Sequence, residues 1–82
     1  MPRYHFHTED GHHHPDPEGL DLPDSGAVRT EAIRALGQLV SERHEDFWRD
    51  GAFRMIVADH TGLTLIILDL AATVSPAMHR DR

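Results

Sequence analysis

Histidines are the residues of this sequence best suited to chemistry, and there are eight of them among 82 residues. His5 and His7 lie two positions apart in an alternating segment, which places both imidazoles on one face of a predicted strand. A turn at residues 9–11 can bring His12 or His14 back over that face. Because imidazole nitrogens bind zinc, nickel or copper when three or four converge, the spacing predicts a candidate metal site formed by His5, His7, His12 and His14. The alternative is a solvated histidine-rich loop that binds no metal and needs no cofactor.

The remaining polar residues match no catalytic or cation-binding motif. Acidic residues crowd residues 16–24, but the glycine there has the wrong offset for a helix–loop–helix calcium site. His44 and Glu45 begin like the zinc-protease motif, yet position 48 is Trp where that motif has its second histidine. The sequence also has no cysteine, and it contains neither a serine in the G-x-S-x-G elbow pattern nor a glycine-rich phosphate loop. These patterns indicate that the protein is not an enzyme.

The charge balance narrows the choice of partners. Fourteen acidic residues against eight basic ones give a net charge of −6, whereas a nucleic-acid-binding surface needs a concentrated basic face. Protonation of all eight histidines would add eight positive charges to −6 and give +2. The sequence shows no secretory signal and no run of ~20 apolar residues. We therefore expect a cytoplasmic, bacterial-type protein without membrane or nucleic-acid partners.

One long helix is predicted over residues 24–44. Asp24 follows a proline and can cap the first free N–H groups of the helix. Apolar residues then recur at three- and four-residue steps and form a single stripe: Val28, Ala32, Ala35, Leu36 and Leu39. A single stripe is typical of a helix that lies across one face of a sheet.

Strand patterns surround this helix. They predict strands over residues 3–8, 20–22, 53–58 and 63–68, a hairpin turn at residues 59–62 with Gly62, and a polar connection at residues 44–51. The expected fold is α+β, with one helix packed on one face of a three- to four-stranded antiparallel sheet (β-β-α-β-β, sheet order 2-1-3-4). Residues 1–74 form the domain, and residues 75–82 are expected to be a flexible tail.

The sheet face opposite the helix is expected to be an interaction surface. Residues 65–68 are apolar at every position, and a single helix covers only one face of a sheet. The sequence therefore predicts an exposed apolar interface containing Ile56, Ile66 and Leu68, and an exposed patch of this kind usually contacts another protein. A two-fold homodimer is the simplest arrangement. The alternative is that residues 70–74 fold back over the patch.

Several motifs resemble a family of short bacterial proteins, the domain of unknown function 6894 family. The resemblance covers residues 1–74 and rests on the opening M-P-R-Y-x-F-H, on D-x-E-G-x-x-L-P-D at residues 16–24, on the helix pattern at residues 31–35, and on Asp59-x-x-Gly62. It implies a small α+β fold and carries no activity. The sequence departs from the usual pattern at His5, at Asp69-Leu70 and at residues 12–14, so any role of those histidines would be particular to this chain.

Three functions remain open at this point. The first is an interaction module that forms a homodimer through the open sheet face and also binds a protein partner. The second is a metal-binding or pH-responsive protein based on the histidines. The third is an antitoxin-like regulator, which rests on a looser fold analogy.

Overall fold

Residues 1–80, which the computed structural model describes, follow the predicted order of strands and helices with some additions. The elements are β1 (Arg3–Glu9), β2 (His13–His14), β3 (Leu20–Asp21), α1 (Ser25–Glu42), α2 (His44–Asp50), β4 (Ala52–Asp59), β5 (Thr64–Ala71) and a 3-10 turn (Pro76–Arg80). The α+β class is confirmed, with more strands than predicted and a second helix. The 3-10 turn occupies part of the predicted tail, and residues 81–82 of that tail lie outside the described residues.

The sheet is antiparallel throughout and has the order β2-β1-β4-β5, with β3 on the same edge of β1 as β2. This confirms the predicted order, in which the short strand at residues 20–22 lies beside the first strand. The hairpin turn at residues 59–62 is also confirmed. The Asp59 carboxylate accepts hydrogen bonds from the N–H groups of Thr61 (2.9 Å) and Leu63 (3.0 Å), and Gly62 has the positive φ of 92° that the turn requires.

The core lies between α1 and the centre of the sheet. Met55 and Val57 of β4 are fully buried, and Val28 and Ala32 of α1 pack on them. The Asp24 side chain caps α1 by accepting the N–H of Ala27 at 2.8 Å. The predicted apolar stripe of the helix is therefore the surface that packs on β4, with the rest of the stripe partly buried.

Helix α2 corrects the prediction that residues 44–51 are a polar connection. The segment is helical because Phe47 anchors it in the core, and Gly51 ends it with a φ of 78° and an N–H donated to the Phe47 carbonyl at 2.7 Å. Trp48, the neighbour of Phe47, does not join the core, because 60% of it is exposed. One buried residue per seven leaves no apolar periodicity in the sequence, which is why the helix was missed.

Candidate functional site

The sheet face opposite α1, called the open face here, carries an apolar patch made of Ile56 and Ile67. These two residues are cross-strand neighbours on β4 and β5. Ile67 is 53% exposed, and Ile56 is partly buried. Leu65, which is 46% exposed, is the extra residue at the β4–β5 register shift and lines a pocket on the α1 side with Val28 and Ile66. No α-helix of residues 1–80 contacts the sheet from this side, because α1 packs on the face that carries Met55 and Val57. The patch is therefore available to a partner.

Two of the three predicted interface residues lie on the other face. Ile66 and Leu68 pair with Val57 and Met55, and both pack against the core. Only Ile56 of the predicted set lies on the open face, where its cross-strand neighbour is Ile67. The register shift between Val57 and Ala58 adds one residue to β5 near the hairpin. A strand that is apolar at every position gives no sequence signal for its register.

The chain does not fold back over the patch, so the alternative for residues 70–74 is wrong. Strand β5 continues through Ala71, and the N–H of Ala72 donates to the Gly51 carbonyl at 3.0 Å. Leu70 and Val74 are themselves 36% and 44% exposed. The last residues of the strand thus extend the sheet and leave the open face uncovered.

A charged row borders the patch at one end. Arg54 donates to the Asp69 carboxylate across β4 and β5 at 2.6 Å, and it lies opposite Glu9 of β1. This hydrogen bond raises the pKa of Arg54 above its already high value. Both side chains are about half exposed, so the pair adds little to stability. The pair does neutralise the charge of Asp69, the charged residue nearest to Ile67 on β5.

His5 and His7 lie on the open face of β1, as predicted. Their rings stack with centroids 6.1 Å apart and an angle of 8° between the planes. His7 pairs with Ile56 across the strands, which places the histidines beside the apolar patch. The third ring in this row is that of His13, 5.8 Å from His7, which is not one of the four predicted metal ligands.

Both histidines are held by a segment that we call the strap, residues 15–19, which runs along the outer edge of β1 between β2 and β3. His5 Nδ1 donates to the Asp16 carbonyl at 2.8 Å, because a carbonyl oxygen only accepts. His7 Nδ1 instead accepts the Asp16 N–H at 2.9 Å. The two imidazoles therefore play opposite hydrogen-bonding roles toward one residue.

The Asp16 carboxylate completes this attachment. It accepts the N–H of Phe6 at 3.0 Å and the N–H of Gly19 at 3.1 Å. Partial burial would raise the pKa of Asp16, but these hydrogen bonds and the nearby His5 outweigh it and lower that pKa. The prolines on either side of Asp16 have no N–H to donate, so Asp16 supplies most of the polar contacts that attach the strap to β1. The Glu18 carbonyl adds one more by accepting a hydrogen bond from Arg3 Nη1.

Gly19 allows the strap to lie close to the strand. Its φ is +72°, and an added Cβ would lie 2.8 Å from the Tyr4 carbonyl oxygen and 2.9 Å from Cε1 of His5. Asp16 and Gly19, which carry part of the family resemblance, thus have a structural role. Proline on both sides of a single hydrogen-bonding residue is the sequence signal that could have revealed it.

His12 and His14 lie elsewhere, so the predicted four-histidine site is not formed. They line an open cleft of about 420 Å³ together with Asp10 and Arg43. The Asp10 carboxylate lies 3.1 Å from His14 Nε2 and 3.9 Å from Arg43 Nη1. Burial opposes ionisation of Asp10, but the hydrogen bond from His14 and the charge of Arg43 lower its pKa.

The register of β2 explains the separation. His13 pairs with Glu9, whose side chain lies on the open face, whereas His14 pairs with Thr8, which is buried on the helix side. The expected convergence of His5, His7, His12 and His14 is therefore wrong. Within residues 1–80, no three side chains of His, Cys, Asp or Glu are arranged to hold a metal ion.

Comparison with known proteins identifies a family and nothing narrower. The family model described as "Domain of unknown function (DUF6894)" matches residues 3–71, which include β1 to β5. Neither a curated protein nor a solved structure matches the chain. None of the helices in residues 1–80 combines the length and the apolar character that a membrane span requires.

Proposed function

The chain belongs to this family of domains of unknown function, and we propose that it is a small interaction module that forms a homodimer through its apolar patch. The observation that carries the proposal is the 53% exposure of Ile67 beside Ile56 on a sheet face that no described helix covers. Apolar side chains clustered in this way usually contact another protein surface. A second copy of the chain is the simplest partner, because a two-fold contact needs only one self-complementary surface.

Size supports the same proposal. A domain of about 80 residues buries little more than 60% of its unfolded surface, which leaves its stability marginal. Dimerisation adds buried apolar area and stabilises the folded state by mass action. Burial of the remaining half of an Ile side chain contributes roughly 1 kcal/mol, so Ile67 of two copies contributes about 2 kcal/mol. A micromolar dimer requires about 8 kcal/mol, and the patch therefore needs additional contacts from its surroundings.

Static light scattering tests the proposal directly. At tens of micromolar protein and neutral pH, we expect a mass that rises with concentration toward twice that of a single chain. A mass equal to one chain over the whole concentration range would contradict the proposed function.

A second candidate function, response to pH, follows from the opposite roles of His5 and His7. A protonated His7 carries a hydrogen on Nδ1 and cannot accept the Asp16 N–H, whereas a protonated His5 still donates to the Asp16 carbonyl. His7 is also faced by His13 of β2, by Glu9 on its own strand, and by the strap. We propose that acidification between pH 7.5 and 5.5, the usual range for histidine, loosens the strap.

Hydrogen exchange at the Asp16 amide tests this candidate, because that N–H donates to His7. We expect its protection factor to fall between pH 7.5 and 5.5. The replacement His7→Gln retains an acceptor that does not titrate and should remove the change, whereas the matched replacement His5→Gln should preserve it. An unchanged protection factor in the wild-type protein would contradict the candidate function.

The other two hypotheses are not adopted. A metal-binding role has lost the histidine convergence on which it was based, as described above. The antitoxin-like role still rests on fold analogy, and the net charge of −6 disfavours direct contact with DNA.

A further inference from the structure

The outer edge of β5 has the features of a strand that pairs with another strand. It is eight residues long, Thr64–Ala71, and among residues 1–80 it pairs with β4 alone. It contains no proline and no lysine, and its single charge, Asp69, is neutralised by Arg54. Natural proteins normally protect exposed edges with such residues or cover them. The opposite edge of the sheet, at β1, is covered by β2, the strap and β3.

The hydrogen-bonding pattern shows which backbone groups point outward. The N–H of Ala72 donates to Gly51, and the β4–β5 register pairs Leu70 with Phe53 and Leu68 with Met55. Antiparallel ladders alternate between hydrogen-bonded and non-hydrogen-bonded pairs, so the even-numbered residues of this stretch bond to β4. The N–H and C=O groups of Ile67 and Asp69 therefore point away from the sheet.

We infer that β5 pairs antiparallel with β5 of a second copy, about a two-fold axis at Ile67. An axis perpendicular to the sheet keeps both α1 helices on one side and brings the two apolar patches together on the other. With Ile67 opposite its own copy, residues 64–70 of the two β5 strands overlap. This register pairs Ile66 with Leu68 on the helix side, and it brings the outward backbone groups of the two Ile67 residues opposite each other.

Charge favours the same register. Asp69 of one copy lies opposite Leu65 of the other, and the two Asp69 carboxylates are four residues apart along the ladder, or about 14 Å at ~3.4 Å per residue. That distance exceeds the screening length of about 8 Å at physiological salt. A register centred on Asp69 would instead place two carboxylates face to face.

The contact area predicts a reversible dimer. A ladder of seven residues is about 24 Å long, and the side chains of a sheet extend the contact to a thickness of about 10 Å. The contact thus covers roughly 240 Å² of each copy, compared with ~800 Å² per partner in a standard interface. We therefore expect a weak dimer that exchanges subunits, and not a permanent one.

Disulfide trapping tests this geometry, which rests on the proposed function. The chain has no cysteine, so single-cysteine variants of the full chain report on one position each. The variant Ile67→Cys places two sulfurs on paired strands with Cα atoms about 5.5 Å apart, within the range for a disulfide. Leu65→Cys is the matched control, because its two copies would be about 14 Å apart. Stacked sheets would hold the Ile67 copies about 10 Å apart, too far for a disulfide.

The outcomes separate the two proposals. Rapid covalent dimerisation of Ile67→Cys with little for Leu65→Cys supports the edge pairing. A dimer in light scattering that Ile67→Cys fails to trap would overturn the edge pairing and leave the proposed function standing. Faster trapping of Leu65→Cys would overturn the register. A single-chain mass in light scattering would contradict both proposals.

Discussion

Asp16 shows how one residue joins a loop to a strand in this protein. Its backbone contacts His5 and His7, and its carboxylate contacts the amides of Phe6 and Gly19. Replacement by Ala should lower the free energy of unfolding by about 1–3 kcal/mol, because it leaves the partly buried Phe6 amide without its acceptor. Urea denaturation measures the change. Asp21→Ala is the control: Asp21 forms an exposed ion pair with Arg3, so its loss should cost at most ~1 kcal/mol.

The lowered pKa of Asp16 also predicts how stability depends on pH. The pKa of Asp16 in the folded state lies below the ordinary value of 3.8. The ionised carboxylate therefore stabilises the fold fully at pH values above 3.8. The contribution is lost as the pH falls through the folded-state value. The stability difference between wild type and Asp16→Asn should therefore be full at neutral pH and shrink in strong acid. A difference that grew on acidification would contradict the assigned role of the carboxylate.

Gly19 and Gly62 both have a positive φ but differ in their surroundings. A Cβ at Gly19 would meet the Tyr4 carbonyl oxygen at 2.8 Å, whereas a Cβ at Gly62 would meet nothing within 4 Å. Both Ala variants pay the cost of an unfavourable backbone conformation, roughly 1–3 kcal/mol. Gly19→Ala should lose clearly more stability because it must also displace the strap. Equal melting temperatures for the two variants would show that the strap is not tightly packed on β1.

At the scale of the elements, packing on the sheet stabilises α1 more than the helix propensity of its residues does. Gly37 lies in the helix on the exposed side, and a Cβ there would meet nothing within 4 Å. Gly37→Ala should therefore raise the free energy of unfolding by up to about 1 kcal/mol, without any change in the mass measured by light scattering. A loss of stability would indicate that this surface of α1 makes a contact beyond the single chain.

The elements also show where sequence reasoning succeeds and where it stops. Strand β1 alternates between apolar and polar residues, and β4 begins with such an alternation at Phe53, Arg54 and Met55. Their orientation could therefore be predicted, and the capped stripe of α1 was equally clear. Strand β5 is apolar at every position from Leu65 to Leu68, so its register depends on the irregularity near the hairpin. The histidine site failed for a similar reason, because the register of the two-residue β2 decides which of its histidines joins His7.

At the scale of the whole molecule, the net charge of −6 opposes self-association. Two copies repel each other over distances comparable to the screening length, which falls from about 30 Å at 0.01 M salt to about 8 Å at 0.15 M. The dimer should therefore tighten several-fold between these salt concentrations, since the contact itself is apolar and backbone-mediated. Sedimentation velocity at the two concentrations measures the effect. Weakening by salt would instead indicate a contact dominated by opposite charges.

The central claim is that the apolar patch of the open face holds two copies of the chain together. Sedimentation equilibrium of three proteins tests it most directly: the wild type, Ile67→Asp, and the matched control Ile33→Asp. The two isoleucines are similarly exposed, at 53% for Ile67 and 61% for Ile33, but Ile33 lies on α1, on the other side of the sheet. We predict a reversible dimer for the wild type and for Ile33→Asp, and a monomer for Ile67→Asp. A wild type that remains monomeric, or a dimer that survives Ile67→Asp unchanged, would contradict the claim.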